Sequence, residues 1–326
     1  MIISRTPLRV SFLGGGSDLP CYYRRHGGAV LATGIEQSVY VTVTRKFDNA
    51  VRVSYSRTEE VAHASQIEHP LVRESLALLG IEGGIEITSV ADIPAKGTGL
   101  GSSSSFTVGL LHALHAYCGR SVTAANLAQE SCQIEIERCG EPIGKQDQYT
   151  AAYGGFNFIR FHPDDSVEVK RVVCAPTVLP NLESRLLFFY TGLTRSASSL
   201  LQQQAAELSI PGEKANGARS MVRLAEAAYA ELCAGNIDTL GPMLHEAWQI
   251  KRKMTEGISN RLVDEAYETA LDAGAQGGKL LGAGGGGFLM FVAPPERHDS
   301  IRHALQPLRE TPFRFAKQGS CIIFVH

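Results

Sequence analysis

Residues 94–105 read Pro94-Ala95-Lys96-Gly97-Thr98-Gly99-Leu100-Gly101-Ser102-Ser103-Ser104-Ser105. Three glycines without side chains let backbone N–H groups come close to a bound group. The run leads into the apolar stretch 106–114, which reads as a buried helix. A helix N-terminus there would add unpaired N–H donors and the positive end of the helix dipole. The serines add hydroxyls, one of which could reach a metal. These are the parts of a phosphate cradle made from Lys96, Gly97, Gly99, Leu100, Gly101, Ser102, Ser103 and Ser104. Lys96 precedes the glycines and no Gly-Lys-Ser/Thr closes the run, so this is not a Walker A loop. A flexible linker has similar composition, but this run lies between a strand-like segment, 84–90, and a strongly apolar helix.

A cradle alone transfers nothing. Phosphoryl transfer also needs a metal on oxygen ligands and help for the attacking hydroxyl. A second helix, expected over about 123–138, carries Glu130, Glu135 and Glu137. Glu135 shares a stripe with Ala128, Cys132 and Cys139, whereas Glu130 and Glu137 share a face with Gln133 that reads as solvated. A carboxylate on a small-residue stripe needs a compensating partner, and a cation is one. Glu135 therefore ranks ahead of Glu137, with helix phase leaving Glu137 open.

Downstream, Gly140-Glu141-Pro142-Ile143-Gly144-Lys145-Gln146-Asp147-Gln148-Tyr149 gathers polar residues directly before Ala151-Ala152-Tyr153-Gly154-Gly155. In isolation Asp147 reads as an exposed turn aspartate; its polar neighbours make it a site candidate. Residues 282–287 contain a formal Gly-x-Gly-x-x-Gly match, but they run into a strand, 288–292, where a dinucleotide fingerprint needs a helix. A loop packing against the cradle and substrate fits better. Arg195, among hydroxyl residues at the exit of a strand over 185–190, could bind a second phosphate.

The cradle, followed by its helix, resembles the central motif of the GHMP kinases, which include galactokinase, homoserine kinase, mevalonate kinase and phosphomevalonate kinase. Arg5-Thr6-Pro7-Leu8-Arg9-Val10-Ser11-Phe12-Leu13-Gly14-Gly15-Gly16-Ser17-Asp18-Leu19-Pro20 resembles their first signature, and Lys279-Leu280-Leu281-Gly282-Ala283-Gly284-Gly285-Gly286-Gly287-Phe288 their third. The three occur in the family's order. The resemblance implies an α+β fold of two domains, 1–178 like ribosomal protein S5 domain 2 and 179–326 ferredoxin-like. It implies ATP and Mg2+ as cofactors, with Ser103 and Glu135 on the metal. Asp147 would be the acidic residue acting on the attacking hydroxyl, Arg9 would lie near the transferred phosphate, and Asp18 would hold sugar hydroxyls. Gly15 and Gly16 stand where galactokinase has Glu-His, so the galactose-binding set is incomplete.

The segments containing Arg9, Gly15, Gly16, Asp18, Lys145, Asp147 and Arg195 are most similar to a branch of the family acting on a heptose 7-phosphate. That similarity implies transfer to the anomeric hydroxyl, giving the 1,7-bisphosphate. The substrate contacts would be Asp18, Gly15, Gly16, Lys145, Arg195, Gly284 and Gly285, with Arg195 and then Lys145 on the distal phosphate. A free-sugar 1-kinase of the fucokinase kind and a catalytically silent ligand sensor are the competing readings.

At 326 residues the chain can bury a sizeable core and suggests two domains. A net charge of −2 gives no reason to expect nucleic acid. Seven scattered cysteines without a Cys-x-x-Cys pair favour reduced thiols. No apolar run approaches the roughly 20 residues that span a bilayer, and no targeting segment is recognised, so a cytoplasmic protein is expected. The expected partners are ATP and a small sugar phosphate, with no nucleic acid or membrane. A homodimer stays open. Alternation predicts strands over 38–45 and 51–55, paired as a hairpin across 47–50, and further strands over 155–161, 167–173 and 321–325. Helices are predicted over 215–234, 237–255, 260–273 and about 300–308, with Gly235 and Gly274 as stops. Trp248 reads as core.

Overall fold

The two longest strands are β1 (Ile2–Leu13) and β2 (Gly28–Arg45), paired antiparallel from Ile2↔Val43 to Leu13↔Leu31. They belong to a computed structural model that describes residues 1–93, 97–194, 197–210 and 212–326. Lys96 and Arg195, two of the candidate site residues, lie outside the described residues. From Thr6 onward β1 is buried at every position, so its second half carries Arg9 and Ser11 into the interior.

β3 (Val51–Ser54), β4 (Thr58–Val61) and β5 (Ile85–Ala91) extend this sheet beyond β2 in the order β2-β5-β3-β4. The expected hairpin between 38–45 and 51–55 is not formed. β5 lies antiparallel to that half of β2, from Val39↔Ala91 to Arg45↔Ile85, and β3 runs parallel to β5. The reason is visible in the backbone. Lys46 donates its N–H to Gly84 O, and Gly84 and Ile85 donate theirs to Asn49 O and Ala50 O. The start of β5 thus wedges open the connection that would have closed the hairpin, and buries Ile85 and Ile87 with Val41, Val43, Val51 and Val53. β6 (Phe156–Phe161) pairs with the first half of β2, and β7 (Val167–Arg171) with β6.

The apolar run after the serines forms the helix Ser102–Tyr117, packed on β1 and β2. Ser4 and Ser105 tie it down by donating to Gly109 O at 2.7 Å and Pro7 O at 2.8 Å.

The second sheet contains β8 (Leu186–Tyr190), β9 (Gly277–Leu280), β10 (Phe288–Val292) and β11 (Arg309–Glu310) in the order β11-β8-β10-β9, all antiparallel. With helices between β8 and β9 and between β10 and β11, this is the βαββαβ path of a ferredoxin-like unit. Both faces are covered. Leu186, Phe188, Phe288, Met290 and Val292 join the core shared with the first sheet, while Leu187, Phe189, Leu289 and Phe291 join a second core around Trp248 and Tyr267. The predicted helices appear as Glu213–Ala234, Leu240–Met254 and Arg261–Asp272. Asn260 caps the last by accepting from Val263 N, and Gly235 ends the first in the left-handed conformation that glycine tolerates. The final strand, β12 (Cys321–Val325), leaves this unit and pairs with the outer edge of β1, Ile2↔Val325 to Arg5↔Cys321.

Candidate active site

The helix Ser102–Tyr117 begins after Gly101, which is left-handed and carries no side-chain cap. Its N-terminal end faces a cavity of about 590 Å³ lined by Gly97, Thr98, Gly99, Gly101, Ser102, Ser103 and Ser104. That volume falls within the range of small-molecule and cofactor sites, roughly 300–1,000 Å³. Gly99 packs against the backbone of Leu281 and Gly282, where any Cβ would collide. The third glycine signature is thus the opposite wall of the cradle, and Gly282 and Gly284 line the same cavity. Gly285 turns away, its N–H bonded to Ile258 O and its carbonyl to Asn260. The Leu100 side chain is fully buried core; its carbonyl accepts from Arg9 N at 2.9 Å.

Glu135 enters the cavity from beneath. It lies in a six-residue π-helical stretch, Gln133–Arg138, that continues the helix Ala124–Cys132. Such wide turns recur at functional sites because they re-aim side chains. Glu135 is 1% exposed, whereas Glu137 is exposed and Glu130 pairs with the buried His115 at 2.7 Å. The Glu130 face is therefore not simply solvated. Ser103 Oγ donates to Glu135 Oε1 at 3.1 Å and Gln148 Nε2 donates to Oε2 at 2.6 Å, with Ser104 a further hydroxyl partner. Burial lifts this carboxyl to about 7, against the lowering effect of those hydrogen bonds. Neutral donors surround it, and among the described residues no cation pairs with it. A hard divalent ion on the Glu135 carboxylate and Ser103 hydroxyl fits this oxygen set, since Mg2+ commonly takes one carboxylate and completes its shell with phosphate oxygens and water. Among the described residues no group of three or more His, Cys, Asp or Glu could hold a metal by itself.

Arg9 and Asp147 stand where this cavity meets a second one. Asp147 occupies the first turn of the helix Gln146–Tyr153, not an exposed turn. Arg9 Nε and Nη2 donate to its two carboxylate oxygens at 2.6 and 2.7 Å, and Nη1 donates to Gly99 O at 2.5 Å. One guanidinium therefore joins the acidic residue to the cradle.

The second cavity is smaller, about 70 Å³, and is lined by Arg9, Ser11, Gly15, Gly16, Asp18, Gln146, Asp147, Gln204, Lys251 and Lys279. Asp18 is buried and accepts from Gly16 N at 2.9 Å, Gln146 N at 3.2 Å and Gln146 Nε2 at 3.3 Å. Burial, then the nearby Asp147 charge, raises its carboxyl above the ordinary aspartate value. Gly144 makes this arrangement possible: a Cβ there would overlap Asp18 Oδ2. Ser11 Oγ, Gln146 Oε1 and Gln204 Nε2 are buried without a hydrogen-bond partner among the described residues. Three unpartnered polar atoms in one wall are costly unless a polar ligand completes them. Donors and acceptors so arranged suit a polyhydroxylated molecule.

Lys145 lines neither cavity. Its ammonium is held by Asp165 at 3.2 Å and lies over the Tyr23 ring. Conversely, Ser11, Thr98, Gln204, Lys251 and Lys279 are cavity residues that motif reading passed over. Lys251 had a readable signal: it follows Leu244 and Trp248 on the buried stripe of its helix. Lys279, between Gly278 and Leu280 in an apolar strand, had another.

Residues 68–155 match the GHMP kinases N terminal domain and residues 228–308 match the GHMP kinases C terminal family. The chain belongs to the GHMP kinases and is an ATP-dependent kinase. It is 28% identical to a D-glycero-alpha-D-manno-heptose 7-phosphate kinase of Campylobacter jejuni, over 98% of this chain and 97% of the relative. It is 26% identical to a bifunctional fucokinase/GDP-fucose pyrophosphorylase of Arabidopsis thaliana, over 97% of this chain but 32% of that protein. The crystal structure of a D-glycero-D-manno-heptose 1-phosphate kinase from Bacteroides thetaiotaomicron superposes with a TM-score of 0.82 at 26% identity, covering both chains completely. Among the described residues no helix is long and apolar enough to cross a membrane.

Proposed function

We propose that the protein is a sugar kinase that transfers the γ-phosphate of ATP to the anomeric hydroxyl of D-glycero-D-manno-heptose 7-phosphate, giving the 1,7-bisphosphate. The observation that carries this is the position of the Arg9–Asp147 pair, shared by the walls of the cradle cavity and of the polar cavity beside it. ATP phosphates lie on the N-terminus of the helix Ser102–Tyr117. The sugar occupies the smaller cavity, its hydroxyls completing Ser11, Gln146 and Gln204 and meeting Asp18. Asp147 accepts a hydrogen bond from the attacking hydroxyl and takes its proton as the bond to phosphorus forms and the bond to the leaving ADP oxygen breaks. With both Asp147 oxygens already receiving Arg9 donors, orientation matters more than prior deprotonation, as a loose transition state allows. Arg9 also meets charge on the transferred group. Mg2+ bound at Glu135 and Ser103 would neutralise phosphate charge.

The choice of a heptose phosphate rests on the Campylobacter relative, of matching length. The Arabidopsis relative favours a second reading, an unphosphorylated sugar as acceptor. An ADP-release screen of sugars and sugar phosphates, with the product's phosphate position read by NMR, tests both. Preference for heptose 7-phosphate supports the first reading, and equal or better use of free sugars overturns it in favour of the second.

A further inference from the structure

Among the described residues, two lysines are sealed into the wall of the smaller cavity without a carboxylate in direct contact. Lys251 is 5% exposed and donates to Gly282 O at 2.6 Å; Lys279 is 2% exposed and donates to Ser11 O at 2.8 Å and Phe12 O at 3.0 Å. Among the described residues, neither has a carboxylate within ion-pair distance, whereas Arg9, the third cation of this wall, is neutralised by Asp147. A buried ammonium without a counter-ion is strongly disfavoured. It is tolerable where a ligand's negative charge completes it. Lys279 spends two of its three N–H groups on the end of β1, which gives it a fastening role. Lys251 spends one. Its hydrogen-bond partner among the described residues, Gly282, lies on both cavity walls and packs against the cradle residue Gly99.

We propose that Lys251 is a specificity-determining residue whose ammonium holds a phosphate group on the acceptor side of the site. The inference rests on the kinase reading above. That phosphate has two sources: the one already on the sugar, or the one arriving from ATP. Among the described residues, four charged groups act on or neighbour this ammonium: Arg9 on β1, Asp18 after it, Asp147 on the helix Gln146–Tyr153, and Lys279 on β9. Burial and then Arg9 lower the Lys251 pKa to about 8, so the contact weakens above that pH.

The test compares wild type with Lys251→Met and Lys251→Arg. A charge-assisted contact to phosphate predicts a loss in kcat/KM of about ten- to a hundredfold in Lys251→Met, with partial recovery in Lys251→Arg. A rise in KM confined to heptose 7-phosphate identifies the sugar's own phosphate; a loss in kcat that extends to the free heptose identifies the transferred group. Turnover of Lys251→Met within twofold of wild type on both acceptors overturns the proposal. A second measurement needs no acceptor. Inorganic phosphate should raise the Tm of wild type more than that of Lys251→Met at pH 7, and the difference should shrink above pH 8. Equal rises in both proteins overturn the proposal. Wild type that phosphorylates no sugar would sink the kinase reading itself, while the phosphate-dependent Tm would still judge Lys251.

Discussion

Arg9 and Asp147 are separated by 137 intervening residues, yet they form a two-pronged pair, Nε to Oδ1 at 2.6 Å and Nη2 to Oδ2 at 2.7 Å. Arg9 is nearly buried and Asp147 is about one-fifth exposed. The third guanidinium nitrogen reaches Gly99 O, so the orientation of the acidic residue and the shape of the cradle are set by the same side chain.

Asp147→Asn should therefore lose more than tenfold in turnover while ATP affinity changes little, because the charge acts on the acceptor hydroxyl. The Arg9→Ala, Asp147→Asn double variant should be little worse than the poorer single variant, since the pair acts as a unit. Steady-state kinetics of the three variants check this. Additive losses, or Asp147→Asn activity within tenfold of wild type, would remove the pair from the chemistry.

Magnesium should raise the Tm of wild type, and Glu135→Gln should abolish most of the rise while leaving a folded protein. The carboxyl titrates at about 7, so a proton competes with the ion below that pH; the rise should be larger at pH 8 than at pH 6. Glu137→Gln, at an exposed position, should behave as wild type. A magnesium response unchanged in Glu135→Gln would move the ion elsewhere.

The lysine pair predicts an alkaline stability difference. Lys251 falls to about 8 in the folded chain, against an ordinary lysine value of about 10.4 when unfolded. Between these values the unfolded state binds more protons, so this residue's contribution rises with pH across that window. Lys279, held well below the ordinary lysine value by burial, acts in the same direction. Relative to wild type, Lys251→Met should be more stable at pH 7 than at pH 10, by at most about 3 kcal/mol. Denaturant titrations at the two pH values measure it; a constant difference would contradict the burial argument.

Gly144→Ala should injure sugar use selectively. The added Cβ overlaps Asp18 Oδ2, so the Asp18 carboxylate must move. We expect the sugar's KM to rise by roughly tenfold or more with ATP affinity retained. An equal effect on both substrates, measured by initial rates, would place Gly144 outside the acceptor cavity's function.

What sequence reading recovered was whatever local spacing encodes. The glycine–serine cradle and its helix are contiguous, and the small-residue stripe of Ala128, Cys132 and Cys139 put Glu135 on the inward face ahead of Glu137. The hairpin failed because adjacency suggested pairing 51–55 with 38–45, while Gly84 and Ile85, more than 30 positions downstream of Ala50, hold the better hydrogen bonds. Glu130 read as solvated because its partner, His115, sits on another helix. Lys251 and Lys279 escaped for a related reason. Each belongs to the second unit, and only the docking of that unit against β1 turns a buried lysine into part of the cavity beside Arg9.

The pairing of β12 with β1 has a consequence for how the chain comes into being. β1 carries Arg9 and Ser11, and the outer edge of its first residues, Ile2 to Arg5, pairs with residues 321–325. On a ribosome, the strand bearing the first half of the site, Ile2–Leu13, emerges well before its edge cover, Cys321–Val325. Throughout synthesis that edge offers unpaired N–H and C=O groups of the kind that recruit other chains. The sheet can be sealed only once the second unit has been made. Final assembly is thus a late, long-range closure, slow by the standards of local contacts, and the nascent chain would gain most from chaperone protection during that interval.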